Sequence, residues 1–247
     1  MDPQRTREKH KGITSRKIKP VYLMHQEGIS DLEKKAVLDG ASELIQLAEV
    51  PGINLIDFGV WRNKDYKNTD GSLKEYQSVD WYVQKGRETS RNKKQLNAKE
   101  MQDALMYEPW RYSSEGGHPH FDIFVVHEDI YYPKTNFFPE TAFVIGVGGK
   151  DIGTTLSTYR FRGLDNKSRY ECIKTETMHE LGHVFGLIPP ERTKKIEEKL
   201  GRHCSDICIM RQGLELPKDW INMTKDRLRD GALCPLCKDN LKEYFRK

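Results

Sequence analysis

Long apolar runs are missing from this 247-residue sequence. Hydrophobic residues make up 36% of it and are scattered, so no stretch nears the roughly 20 residues that a membrane-crossing helix requires. A membrane-spanning topology is thereby excluded, and no membrane partner is expected. The apolar h-region of a secretory leader is missing too, which makes the cytoplasm the expected compartment. Cysteine is scarce, with five residues. Without an export signal these read as metal ligands or free thiols before disulfides. No internal repeat is visible, and the length allows one large domain or one domain with a small appendage.

Charge is balanced except at the N-terminus. The net charge is +4, and residues 1–20 hold Arg5, Arg7, Lys9, Lys11, Arg16, Lys17 and Lys19 against only Asp2 and Glu8. The remaining chain is close to neutral. Residues 1–19 therefore read as a basic, solvated arm. Such arms contact polyanions in some proteins, which keeps a nucleic-acid or protein binding module open as a rival reading.

Strands alternate with helices along the chain, which predicts an α/β architecture with a mixed sheet. Apolar runs at residues 20–24, 53–60 and 121–126 read as strands. Residues 76–84 read as a further strand. Ser30-Asp31-Leu32-Glu33 is a capping box that opens a helix with its apolar stripe on Leu32, Ala36, Val37, Ala41, Leu44 and Ile45. A second capped helix begins at Asn97. Strands Ala142–Val147 and Thr154–Phe161 are joined through a glycine-rich turn, and a helix over about residues 168–185 follows.

That helix carries His179-Glu180-Leu181-Gly182-His183. Positions i and i+4 lie one above the other on a helix, so both imidazoles can reach one metal ion. Glu180 points about 100° away and is free to act as a base on a zinc-bound water, whose pKa falls to about 7. Met178, Leu181, Val184 and Phe185 give the helix an apolar surround. Gly186 stands where a glycine can end it in the left-handed conformation.

The stretch resembles the metzincin metalloproteases and, within them, the archaemetzincins, whose pattern opens HExxHxxGxxHC and continues through CxM to CxxC. His179, Glu180, His183, Gly186, His203, Cys204, Cys208, Met210, Cys234 and Cys237 match it in order. The resemblance covers roughly residues 120–245. It implies a twisted mixed sheet with backing helices and a small zinc-bound C-terminal subdomain. It also implies a catalytic zinc on His179, His183 and His203, with Glu180 as base and a methionine turn at Met210 beneath the metal. A second, structural zinc on Cys204, Cys208, Cys234 and Cys237 completes the expected two ions per chain. The expected function is zinc-dependent hydrolysis of peptide bonds in a peptide or protein substrate, by a chain read as monomeric.

Three spacings depart from the pattern. Sixteen residues separate Gly186 from His203 where the family has two; Cys204 and Cys208 are one residue closer than usual; and Met210 to Cys234 is longer. The inserted residues 187–202 open with Pro189-Pro190 and close with Gly201, a frame for a short helix. Because the insertion displaces the third ligand, Glu197, Glu198 and Asp206 stand beside His203 as alternatives. The chain then divides into the arm (1–19), a sheet-containing part (20–186) and a metal-clamped part (187–247).

Other residues take plainer readings. Cys172 reads as a core thiol. His118 and His120 read as surface histidines. Tyr131, Tyr132, Phe137 and Phe138 read as core packing. Ala142–Val147 and Thr154–Phe161 are the two candidates for an edge strand onto which an extended peptide could add.

Overall fold

The computed structural model describes residues 18–90, 94–111, 117–133, 142–199 and 201–246. The basic arm up to Lys17 and the aromatic pair Phe137 and Phe138 lie outside these residues.

The expected α/β class is the one observed. A five-stranded sheet has the order β2 (Leu55–Gly59), β1 (Val21–His25), β4 (Phe121–Val126), β8 (Gly153–Ser157), β7 (Gly146–Gly149). The first four strands are parallel, and β7 runs antiparallel to β8 as the edge. Side chains alternate between the two faces. Val21, Leu23, Phe121, Ile123, Val125 and Leu156 enter one core; Tyr22, Met24, Phe124 and Val126 enter the other. Burial on both faces explains why β1 and β4 read as unbroken apolar runs.

The first core is covered by helices α1 (Asp31–Leu47) and α4 (Asn166–Val184), joined by α5 (Lys218–Asp230) and α6 (Pro235–Arg246). The capping box forms as expected: Ser30 N–H donates to Glu33 Oε2 at 2.8 Å, and Ser30 Oγ accepts from Glu33 N–H at 3.3 Å. The second core is covered by α2 (Val79–Glu88) and α3 (Ala98–Met106), with a small sheet of β3 (Leu96–Asn97), β5 (Ile130–Tyr132) and β6 (Ala142–Val144). Among the described residues no helix is long and apolar enough to cross a membrane.

Four expectations are corrected. Residues 76–84 are not a strand. Ser78 caps a helix by accepting from Trp81 N–H at 3.3 Å, and Val79, Tyr82, Val83 and Gly86 bury its i, i+3, i+4, i+7 stripe. Their aromatic and β-branched character read as strand propensity, but the helical spacing wins. Ala142–Val147 breaks at Ile145 into β6 and β7, which belong to different sheets. Thr154–Phe161 ends as a strand at Ser157 and passes into a single 3-10 turn, Tyr159–Phe161. Among its described residues the inserted segment forms no helix. It makes a hairpin in which β9 (Ile196–Glu197) pairs antiparallel with β10 (His203–Cys204). A helix of ten polar residues with one or two apolar anchors is marginal, and turns at Lys195 (φ 56°) and Gly201 (φ 85°) reverse the chain instead.

Candidate metal centre

Helix α4 positions the motif. Asp165 caps its start, accepting from Lys167 and Ser168 N–H. From Cys172 onward the helix is buried on nearly every side, between the sheet, α1 and α5. It ends in a Schellman turn: Leu187 N–H donates to Gly182 O at 2.9 Å and Gly186 N–H to His183 O at 3.1 Å, with Gly186 at φ 62°. This turn sends the chain under the helix toward the hairpin.

The structure brings His179, His183 and His203 together, each offering a nitrogen within 4.8 Å of the others. The Nε2 atoms of His179 and His183 are 3.2 Å apart. Two nitrogens on one tetrahedral zinc, at 2.0–2.1 Å each, stand about 3.3 Å apart, so this spacing suits a shared ion. His179 Nδ1–H donates to Ile209 O at 2.5 Å, which turns Nε2 toward the cluster. His203 stacks on His179 at 5.3 Å between ring centroids, and its buried Nδ1 has no partner among the described residues. Burial and the neighbouring His203 push His179 down to about 3; burial pushes His203 down to about 4. Both are therefore neutral at pH 7, the form that binds metal. Glu197 sits opposite His203 in the hairpin, Glu198 pairs with Arg202, and Asp206 pairs with Lys195. None of the three joins the histidine group.

Glu180 faces β7. Gly146 and Gly148 let that strand lie directly on the helix: a Cβ on Gly146 would come within 2.5 Å of Glu180 Cγ, and one on Gly148 within 2.6 Å of Glu180 O. Burial raises the Glu180 carboxyl to about 8, against a backbone hydrogen bond from Gly148. Glu176, one turn earlier, is also buried beside Gly146 and its carboxyl is raised by burial and by Glu180. A cation beside Glu180 would favour its ionised form. On the opposite side of the helix Met210 is fully buried, and a Cβ on Gly182 would meet its Sδ at 2.3 Å. The methionine thus packs against Gly182, between the two motif histidines in sequence.

The cleft above these groups has a volume of about 290 Å³. Its walls are the β6–β7 backbone, Tyr132, the Gly201–His203 turn, Gln212, Gly213, Leu216 and Trp220. Between β7 and β8, β7 is a sheet edge and β8 lies inside the sheet, so of these two it is β7 that is open to an added strand.

The four cysteines form a second buried cluster. Cys204 and Cys234 sulfurs are 3.7 Å apart, near the roughly 3.8 Å between two thiolates on a tetrahedral zinc with 2.3 Å bonds. Hydrogen bonds from the other three cysteines push Cys204 well below the usual thiol range, and Cys237 is pushed up in return. All five cysteines are free. Cys172 is buried in the core, as expected, and accepts from Thr224 Oγ1 at 3.6 Å.

Several contributors carry no sequence signal: the Ile209 carbonyl, Trp220 edge-on to His179 at 5.0 Å, and Arg192, whose guanidinium reaches two cysteine sulfurs. His120 differs from its surface reading. It is fully buried with Glu108 and Asp122. Those three could resemble a metal site, but the Arg111 guanidinium already pairs with both carboxylates and fills the role of cation.

No protein-family model matches the chain. An 87-residue stretch, 35% of the chain, is 34% identical to an archaemetzincin of Nanoarchaeum equitans and spans 36% of that protein. Another stretch, of 75 residues and 27% of the chain, is 35% identical to an archaemetzincin of Haloquadratum walsbyi and spans 40% of it. The chain thus spans about two fifths or less of the curated relatives it matches. The crystal structure of archaemetzincin from Methanopyrus kandleri superposes with a TM-score of 0.56 at 17% identity, covering 93% of this chain and 96% of that one.

Proposed function

We propose that this archaemetzincin-like chain is a zinc-dependent metallopeptidase that hydrolyses peptide bonds in a peptide or protein substrate. The observation that carries this reading is the triad of neutral imidazoles converging beside Glu180 at the floor of a cleft bounded by an open sheet edge. His179, His183 and His203 would hold the catalytic ion, and the four cysteines a second, structural one. Zinc bound at the histidines supplies Lewis-acid polarisation of the scissile carbonyl and a water acidic enough to attack at neutral pH.

The chain's own residues do the rest. Glu180 takes the proton of the attacking water and returns it to the leaving nitrogen. The close approach of Gly146 and Gly148 to Glu180 confines where that carboxylate stands. The Ile209 carbonyl and the Trp220 ring fix His179, and Met210 supports the helix from below. An extended peptide added along β7 would gain main-chain hydrogen bonds independent of its side chains. The free cysteines accord with a reducing compartment such as the cytoplasm.

Replacing Glu180 by Gln keeps the side-chain volume and removes the base. Glu180→Gln protein should keep its zinc and lose peptide hydrolysis by two orders of magnitude or more. Undiminished hydrolysis by that variant would overturn the reading.

A further inference from the structure

The inserted segment 187–202 brings one cation into the interior of the molecule. Arg192 is only 7% exposed, and each of its five N–H groups has an acceptor. Nε donates to Lys194 O at 3.0 Å. Nη1 donates to Leu187 O at 3.4 Å and to Cys237 Sγ at 3.1 Å. Nη2 donates to Lys195 O at 3.1 Å and to Cys204 Sγ at 3.1 Å. The three carbonyls are neutral, and among the described residues no carboxylate pairs with Arg192. A buried guanidinium without an anion is strongly unfavourable. Among the described residues, the acceptors of Arg192 that can carry negative charge are the two sulfurs.

We propose that Arg192 is the built-in counter-ion of a four-thiolate divalent-metal centre, delivered by the insertion to the sulfurs of Cys204 and Cys237. This rests on the reading that the cysteines bind metal. A divalent ion with four thiolates keeps a net charge of minus two, which burial opposes; the guanidinium reduces it to minus one. Arg192 is a positioning residue, touching neither substrate nor the histidine cluster. Its carbonyl oxygen accepts a hydrogen bond from Arg202, the residue before His203, so the segment is tied down between the two clusters. The insertion accordingly serves as a clamp on the cysteine centre.

The test separates charge from hydrogen bonding. Arg192→Lys keeps the charge and loses the planar fork; Arg192→Gln keeps donors and loses the charge. The full chain is loaded with cobalt(II), whose thiolate-to-metal absorption bands report the cysteine centre alone, and metal release to a chromophoric chelator is timed. Release from the cysteine centre should be at least tenfold faster in Arg192→Gln and within about threefold of wild type in Arg192→Lys. Release from the histidine centre should change less in both. Equal or slower release from Arg192→Gln than from Arg192→Lys would overturn the counter-ion role. If Arg192→Gln does not fold, tenfold faster release from Arg192→Lys, which retains the charge, overturns it equally. Wild-type protein that binds cobalt without thiolate bands would instead defeat the underlying cysteine-site reading, a distinguishable outcome.

Discussion

His203 and Cys204 are consecutive residues of the two-residue strand β10, yet their side chains join different clusters, one with His179 and His183, the other with Cys208, Cys234 and Cys237. The segment that follows stays shared. Cys204 N–H donates to Met210 O at 2.7 Å, and the neighbouring Ile209 carbonyl holds His179. Fixing the cysteines therefore fixes the third histidine and the orientation of the first. Cys234 lies on the far side of this arrangement, at the start of α6, and touches no histidine of the cluster. Cys234→Ala should lose the structural metal and also weaken metal retention at the histidines, with hydrolysis falling at least tenfold in the presence of a mild chelator. Metal content and activity measured across a chelator titration check this. One ion retained with wild-type affinity, and activity to match, would mean that the two centres are independent.

Gly182 stands between the two histidines of the motif because nothing larger fits above Met210. A Cβ there would meet Met210 Sδ at 2.3 Å and Leu187 Cδ2 at 3.3 Å. Overpacking of this kind costs about 1–3 kcal/mol, and each kcal/mol lowers Tm by about 2–4 °C in a domain of this size. Gly182→Ala should show that drop in thermal unfolding. The double variant Gly182→Ala, Met210→Ala should be more stable than the sum of the two single effects, since truncating Met210 removes the clash that Gly182→Ala creates and the added methyl fills part of the cavity left by the methionine. Strict additivity would argue against the contact.

How much of this was legible in the sequence depends on how local each determinant is. His179, Glu180, His183 and Gly186 are set by helical geometry over eight residues, so they are legible as a local pattern, whereas the roles expected of Met210 and the four cysteines rest on the order of residues in the family pattern they resemble. Trp220, the Ile209 carbonyl and Arg192 act across turns and strand pairings that no periodicity encodes. Residues 142–147 read as one strand because their apolar run is continuous; only tertiary pairing shows that Ile145 marks a change of sheet. The insertion misled because its proline and glycine frame a helix, whereas the buried demand for a cation at the sulfurs draws Arg192 inward and the chain into a hairpin.

Glu33 links the start of α1 to α4, the helix that carries the two motif histidines. Its carboxylate accepts from Ser30 N–H and Oγ at 2.8 and 2.7 Å and from Arg169 at 2.5 Å. Burial would raise its pKa, but these hydrogen bonds outweigh it, so the folded-state value lies below the ordinary 4.5. The folded protein thus binds this proton less readily than the unfolded chain. The resulting stability is fully present above about pH 4.5 and is lost as pH falls through the folded-state value. Glu33→Gln should cost about 1–3 kcal/mol at pH 7 and should flatten the decline in stability below pH 4.5. Urea midpoints of both proteins at pH 7 and pH 4 provide the comparison; parallel declines would refute the assignment.

Trp220 carries the last argument, because it belongs at once to the core and to the cleft. Its ring meets His179 edge-on at 5.0 Å, it is 3% exposed, and its Nε1 is buried without a partner among the described residues. The aromatic face is then what α5 contributes to the site, and the indole N–H contributes little, since a buried donor lacking an acceptor is a cost. Trp220→Phe should keep thermal stability within about 1 kcal/mol of wild type and retain the histidine-site metal, because an aromatic ring still backs His179. Trp220→Ala should lose about 3–5 kcal/mol through the cavity it leaves. It should also release the histidine-site ion faster, since His179 would lose the indole ring that packs edge-on against it. Calorimetry and chelator-timed release on the pair decide the matter. Equal behaviour of Trp220→Phe and Trp220→Ala would show that the ring does not brace His179.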